Sequence, residues 1–199
     1  FADEVVPITI VTRKGETVVE HDEQPGKGKP DKIPSLRPAF AKDGTITAAT
    51  SASISDGAAA LVLTRASVAE QRGLSQEARI VATAAHAHAP ALFTTAPVAA
   101  IRKVLERAGW SVDDVDLFEV NEAFATVAMI AMRELAIPRE KLNVNGGATA
   151  LGHPIGASGA RIIATLVAAL KRRGVEKGVA ALCIGGGEAT AIAVELIHP

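Results

Sequence analysis

The chain has 199 residues, enough to bury a full-sized core, and 48% of them are hydrophobic while only 3% are aromatic, with no tyrosine. Its 21 basic residues balance 22 acidic ones, which excludes the broad positive field a nucleic-acid backbone would need. A single cysteine cannot form an internal disulfide, and no Cys/His spacing suits a metal, so a reducing, cytoplasmic setting without metal is expected. No run approaches the roughly eighteen apolar residues of a membrane span, and no membrane partner is expected.

A core of Ala, Val, Ile and Leu favours helices layered on a sheet. The chain begins at Phe1 and runs directly into a strand-like segment, which is expected of a fragment. Val5 to Val19 alternates apolar and polar residues around Lys14-Gly15-Glu16 and reads as a hairpin. Glu20 to Pro34, EHDEQPGKGKPDKIP, carries three prolines and two glycines and reads as a solvated linker. Leu36 to Phe40 is short and extended, and Thr45 to Ser55 is rich in Thr, Ser and Ala before a turn at Asp56-Gly57. The apolar run Ala58 to Leu63 reads as a buried strand, and Ser67 to Gly73 as a short helix ended by glycine. Arg79 to Ala85 is a second strand. Ala96 to Ala108 has helical spacing at Val98, Ile101, Val104 and Leu105 and stops at Gly109. Val115 to Val120 is a strand, Glu122 to Leu135 a helix, and Ile155 to Arg173 a long helix with Ile162, Ile163, Leu166 and Leu170 on one stripe. Two strands follow, Val179 to Cys183 and Ala189 to Leu196. The expected fold is α/β: a βαβαβαββ core with a mixed five-stranded sheet, mostly parallel, helices on both faces, and an antiparallel strand closing it.

Ligand sites in such sheets lie at the carboxyl ends of strands, and three features fall there. Asn121-Glu122 follows a strand. The stretch Asn143 to Gly159 packs five glycines around His153 at a loop-to-helix junction, where Pro154 fixes the backbone. Cys183 ends a strand and runs into Ile184-Gly185-Gly186-Gly187. A thiol, an imidazole and exposed backbone N–H groups are the parts of acyl chemistry. Each has a plainer reading alone: a buried small hydrophobe, a surface turn, a helix cap. His86 and His88 share one side of a strand without a third ligand nearby and read as a polar rim. Gly26 to Lys29 lacks the flanking strand and helix of a phosphate loop.

NEAF at Asn121 to Phe124, NVNGGA and GHPIGASGAR within Asn143 to Arg161, and CIGGG at Cys183 to Gly187 resemble, in order and spacing, the C-terminal signatures of the thiolases. LRPAF at Leu36 to Phe40 and SDGAAA at Ser55 to Ala60 extend the resemblance over nearly the whole chain. The family joins two similar βαβαβαββ halves through a loop domain. The resemblance therefore implies the end of a loop domain and linker over residues 1–55 and a C-terminal core domain over 56–199.

The same resemblance implies the roles. His153 matches the histidine that deprotonates the nucleophilic cysteine and lines an oxyanion hole. Asn121 matches the asparagine that holds the water completing that hole. Cys183 matches the cysteine that shuttles a proton to and from the substrate carbon or leaving thiol, a task suited to a pKa near neutral. Gly185 matches the residue whose N–H binds the acyl oxygen, and Ala123 and Phe124 match the pantetheine channel wall. A family serine that meets the coenzyme aligns with Ala52, leaving Ser51 and Ser53 beside it as the expected contacts. Pro25 and Gly26 stand where relatives often carry an arginine near the coenzyme phosphates, with Lys27 and Lys29 the available cations.

The family's nucleophilic cysteine lies in the N-terminal half, which is the expected partner of this chain, in a homodimer or homotetramer. The expected activity is Claisen condensation of acetyl-CoA, or thiolysis of a 3-ketoacyl-CoA by coenzyme A, with no cofactor beyond the coenzyme A thioester itself. A degradative thiolase for longer chains and a non-catalytic acyl-CoA or lipid-binding relative are the alternatives. The Asn121, His153 and Cys183 set argues against the last, because binding needs no proton shuttle.

Overall fold

The alternating segment near the start forms the expected hairpin, β1 (Ile8–Thr12) antiparallel to β2 (Gly15–Val19), with Thr12 opposite Gly15. Gly15 sits at φ 122°, where a side chain would be strained. All ten residues are exposed, so this ribbon buries no core of its own. The computed structural model describes residues 1–197. Its main body contains α1 (Ala66–Gln71), β3 (Ala78–Ala87), α2 (Ala96–Ala108), β4 (Leu117–Val120), α3 (Ala125–Leu135), α4 (Ala148–Leu151), α5 (Ser158–Arg173), β5 (Lys177–Cys183) and β6 (Glu188–Leu196). Among the described residues no helix is long and apolar enough to cross a membrane.

These strands form one mixed sheet in the order β3-β6-β5-β4, with β4 parallel to β5 and β6 antiparallel to both of its neighbours. The expected fifth strand is not there. Ala58 to Leu63 has no strand assignment and is exposed throughout, Val62 at 94%. An apolar run becomes a strand only where a sheet edge completes its ladder and a layer covers its faces, and this one has neither. The antiparallel strand also differs from expectation: β6 lies inside the sheet instead of closing its edge. Its Ala189, Ala191 and Ala193 are 0–4% exposed, and small side chains there let α2 sit close over β6 and β3.

The helices cover both faces. On one side α2 and α3 bury Ile101, Val104, Val127 and Ala131 against Phe118, Val120, Ala181 and Cys183. Helix α2 has Pro97 in its first turn and ends at Gly109 in the left-handed conformation, φ 68°, as its spacing predicts. On the other side α5 lays Ile162, Leu166 and Leu170 over Leu117, Ala180 and Val194. Both α3 and α5 start three residues later than the periodicity predicts, because Glu122 to Phe124 and Pro154 to Ala157 are taken up by pairing and a turn. The N-terminal segment is pinned to α5, with Thr165 Oγ1 donating to Glu4 (2.5 Å) and Arg172 to Asp3 (2.5 Å).

The α5 contact depends on Gly178 of β5. A Cβ there would lie 2.9 Å from three carbons of the fully buried Leu166 side chain, so the glycine is what lets the helix seat on the strand. Gly178→Ala is expected to destabilise the fold by about 1–3 kcal/mol, the usual cost of overpacking a core. Urea unfolding checks this, and paired Leu166→Ala should relieve part of the loss if the clash is its cause.

Candidate active site

The carboxyl ends of the parallel pair β4 and β5 lie side by side, with Val120 opposite Ala181 and the Asn121 N–H donating to Ala181 O (2.9 Å). That register brings Asn121, one residue beyond β4, to the same edge as Cys183, the last residue of β5. His153 reaches this edge from the glycine-rich stretch. Its backbone N–H donates to Ser53 O (2.9 Å), and Gly152 before it has φ 86°. A Cβ on Gly152 would collide with Ser55 Oγ, so the glycine allows segment 53–55 to close against the histidine.

The imidazole is held at both nitrogens. Asn121 Nδ2 lies 3.3 Å from His153 Nε2, and Ser158 Oγ lies 2.6 Å from Nδ1. Ser158 has one hydroxyl proton, which it donates to Pro154 O (3.0 Å), so toward the ring it accepts. This assigns the ring proton to Nδ1 and leaves the lone pair on Nε2. Burial, with the nearby Arg161 charge, lowers the His153 pKa below the usual histidine value. The ring is therefore neutral near pH 7 and basic at Nε2. Asn121 is 1% exposed, and its Oδ1 is buried without a partner among the described residues, an acceptor still available at the site.

Cys183 is a buried free thiol whose pKa is pushed up by burial. The role implied by the resemblance suits a thiol near neutral pKa, whereas the wall of Ala and Val around Cys183 favours its neutral form. Burial thus favours the thiol over the thiolate. After it, the Gly187 N–H closes a turn on Ile184 O (3.1 Å), and the Gly185 N–H has no partner among the described residues. Gly187 (φ 100°) abuts His88 O, so no side chain fits between the turn and β3.

Phe124 is half-buried, its ring edge-on to Phe40 (6.0 Å) and Phe93 (6.2 Å). An antiparallel bridge joins it to Ser51, and the Ala52 N–H donates to Ala123 O (3.1 Å). Thus Ala123, Phe124 and Ser51 do meet. The Ser51 hydroxyl donates to Thr47 O (2.9 Å), while Ser53 Oγ pairs with Ser55 Oγ (3.1 Å). His86 and His88 meet edge to face at 5.2 Å, and the Lys103 ammonium lies 3.2 Å from His86 Nδ1, a cation where a metal would have to sit.

Three supports have no role assigned to them in the sequence reading. Asn143, at φ 46°, runs its side-chain amide along the end of β4, accepting the Val120 N–H (2.8 Å) and donating to Val120 O (2.9 Å). Glu122 accepts from Asn143 Nδ2 (2.9 Å) and from Thr149 Oγ1 (2.6 Å), tying β4 to α4. Gly147 makes room for that carboxylate, since a Cβ there would overlap it. Ser158, wholly buried, is the third.

A sheet edge with a neutral imidazole fixed by Asn and Ser, a protonated thiol and a free N–H turn is built for proton transfer beside an acyl group. The class follows from comparison with known families. Residues 74–196 match the thiolase C-terminal domain and residues 1–67 the thiolase N-terminal domain, so the chain belongs to the thiolase family. It is 50% identical over 196 residues to acetyl-CoA acetyltransferase of Rhizobium meliloti (strain 1021), covering 98% of this chain and 50% of that protein. The crystal structure of the Bacillus anthracis acetyl-CoA acetyltransferase superimposes with a TM-score of 0.94 at 46% identity, covering 98% of this chain and 50% of that one. Human mitochondrial 3-ketoacyl-CoA thiolase gives a TM-score of 0.88 at 38% identity, covering 96% and 49%. The chain spans about half the length of the curated relatives it matches.

Proposed function

We propose that this chain is the C-terminal catalytic half of an acetyl-CoA acetyltransferase, with residues 1–55 ending a loop domain and 56–199 forming the C-terminal core. The observation that carries the reading is the Asn121–His153–Ser158 relay at the shared carboxyl edge of β4 and β5, the edge where Cys183 ends β5. Coenzyme A thioesters are the substrates. His153, neutral with its lone pair on Nε2, takes the proton of a nucleophilic cysteine supplied by an N-terminal half. The acyl group passes to that sulfur as the coenzyme A thiolate leaves, and Cys183 protonates the departing thiolate. Now a thiolate, Cys183 removes a proton from C2 of a second acetyl-CoA. The resulting carbanion attacks the acyl-enzyme carbonyl, which releases the nucleophilic cysteine.

In this reading the Gly185 N–H receives the acyl oxygen, and His153 with Asn121 the enolate oxygen. Ala123 and Phe124 wall the pantetheine, with Ser51 and Ser53 nearby. A seat for the partner half is offered on the α5 face: α5 covers β4, β5 and the Val194 end of β6 but leaves the rest of β6 and β3 open on that face. The resulting groove is lined by Thr83, Ala85, Leu182, Thr190, Ile192 and Ile163. The expected assembly is cytoplasmic and dimeric or tetrameric.

Complementation tests the reading. Co-expressed with the N-terminal half of an acetyl-CoA acetyltransferase, the chain should cleave acetoacetyl-CoA, while either half alone should not. A chain that forms the complex yet gives no thiolysis would sink the proposal.

A further inference from the structure

Next to the His153 relay lies a buried pair of ionisable residues that the proposed reaction does not use. Glu119 of β4 is 2% exposed, and its Oε2 lies 4.0 Å from Arg161 Nη1 of α5. Glu119 Oε1 and Arg161 Nη1 are buried without hydrogen-bond partners among the described residues. Placing such groups in a core is costly and adds little stability over apolar residues of the same size. The pair therefore asks for another reason to exist.

The register supplies one. Glu119 and Asn121 are two apart on the β4 path and point to the same face, while Ser158 and Arg161 are three apart on α5 and do likewise. Asn121 and Ser158 grip the imidazole from the strand side and the helix side, and Glu119 and Arg161 bridge the same two elements one step deeper. We propose that Glu119 and Arg161 are positioning residues for His153, a second brace between β4 and α5 that fixes the spacing of the imidazole's two partners and keeps a positive charge behind the ring. This rests on the reading of His153 as the base of a thiolase.

The charge has a definite sense. Arg161 is the charged group that acts on His153, disfavouring imidazolium; Asn121, Ser158 and the serines of segment 53–55 around the ring are neutral. Burial lifts the Glu119 carboxyl to about 8 against the opposing pull of Arg161, in keeping with a contact too long for a hydrogen bond. A carboxyl held toward its neutral form by burial leaves more of the Arg161 charge uncancelled. Glu4, hydrogen-bonded to Thr165, and Glu122, held by Asn143 and Thr149, act on Arg161 from farther along the same face.

Arg161→Met, Arg161→Lys and Glu119→Gln in the chain assembled with its N-terminal half test the brace. The readouts are the pH profile of acetoacetyl-CoA thiolysis and the titration of 15N-labelled His153 by NMR. Losing the charge should raise the His153 pKa, so the acid limb, where activity needs neutral imidazole, moves to higher pH. Arg161→Met should lower kcat by about 100-fold at neutral pH with little change in KM, the scale expected when a catalytic group is misplaced. Arg161→Lys should return the acid limb to its place. Glu119→Gln should leave that limb unmoved and abolish an inflection near pH 8 in the His153 resonances. A purely structural pair would shift only the melting temperature, and an unmoved limb and titration in Arg161→Met would overturn the proposal. Should that variant not fold, an unmoved limb and titration in Arg161→Gln would do so. If the wild-type assembly is inactive, the proposed function fails, while the His153 titration still decides the brace.

Discussion

In the enzyme assembled with its N-terminal half, Cys183→Ala is expected to retain acylation but to lose carbon–carbon bond formation by on the order of 10³-fold, within the usual range for removing a positioned acid–base. The two half-reactions differ in what they ask of Cys183. A departing coenzyme A thiol has an ordinary thiol pKa of about 8.5, so its thiolate leaves tolerably without a proton donor. The C2 proton of a thioester is a far weaker acid, and in the proposed sequence His153 cannot take it, because after acylation its Nε2 already carries the proton of the nucleophilic cysteine. An alanine methyl also nearly matches the volume of the buried thiol, so the fold should survive. Brief exposure to radiolabelled acetyl-CoA followed by acid quench measures the acylated fraction, and acetoacetyl-CoA formation measures the second step. If the variant could no longer be labelled, Cys183 would be the nucleophile, against the raised pKa that burial gives it.

The sequence shows the corners of this site more clearly than the frame behind them. Asn121, His153 and Cys183 are conspicuous because each sits where an apolar run or a glycine cluster ends, and strand ends are where open sheets place ligands. Their supports are hidden for a geometric reason. Ser158 and Arg161 read as ordinary residues of an amphipathic helix, and Glu119 as a charge inside a strand, until the packing of α5 on β4 makes them neighbours. The one available signal was Glu119 itself: a carboxylate between Phe118 and Val120, in a strand whose four residues are all buried, needs a partner from the covering layer. The fold was legible to the same depth. Helices α2 and α5 follow from their stripes and their left-handed Gly109 and Gly174 ends. The central place of β6 does not, because periodicity reports which face of a strand is buried and says nothing of its neighbours. Ala58 to Leu63 misleads for a related reason, since apolar content without a partner edge does not make a strand.

His153→Asn should impair both half-reactions, each by on the order of 10³-fold, because one imidazole serves two tasks. Asparagine can still fill the space between Asn121 and Ser158 and form a hydrogen bond, but it cannot accept a proton at neutral pH, so acylation stalls at the nucleophile. It also loses the fixed ring donor that forms once Nε2 is protonated, and with it stabilisation of the enolate oxygen. Asn121→Ala should cost less, roughly 10- to 100-fold in condensation, since a single oxyanion donor is worth about that much or somewhat more. The informative quantity is the double variant. Asn121 Nδ2 and His153 Nε2 lie 3.3 Å apart and in the proposed reaction serve one oxygen, so once either is gone the other is no longer correctly aimed. Groups that act as a unit lose far less together than the product of their separate losses. The double variant should therefore lie within about tenfold of His153→Asn alone in condensation. Single-turnover rates of condensation for the four members of the cycle measure this directly, and full multiplicativity would mean that Asn121 and His153 act on different groups.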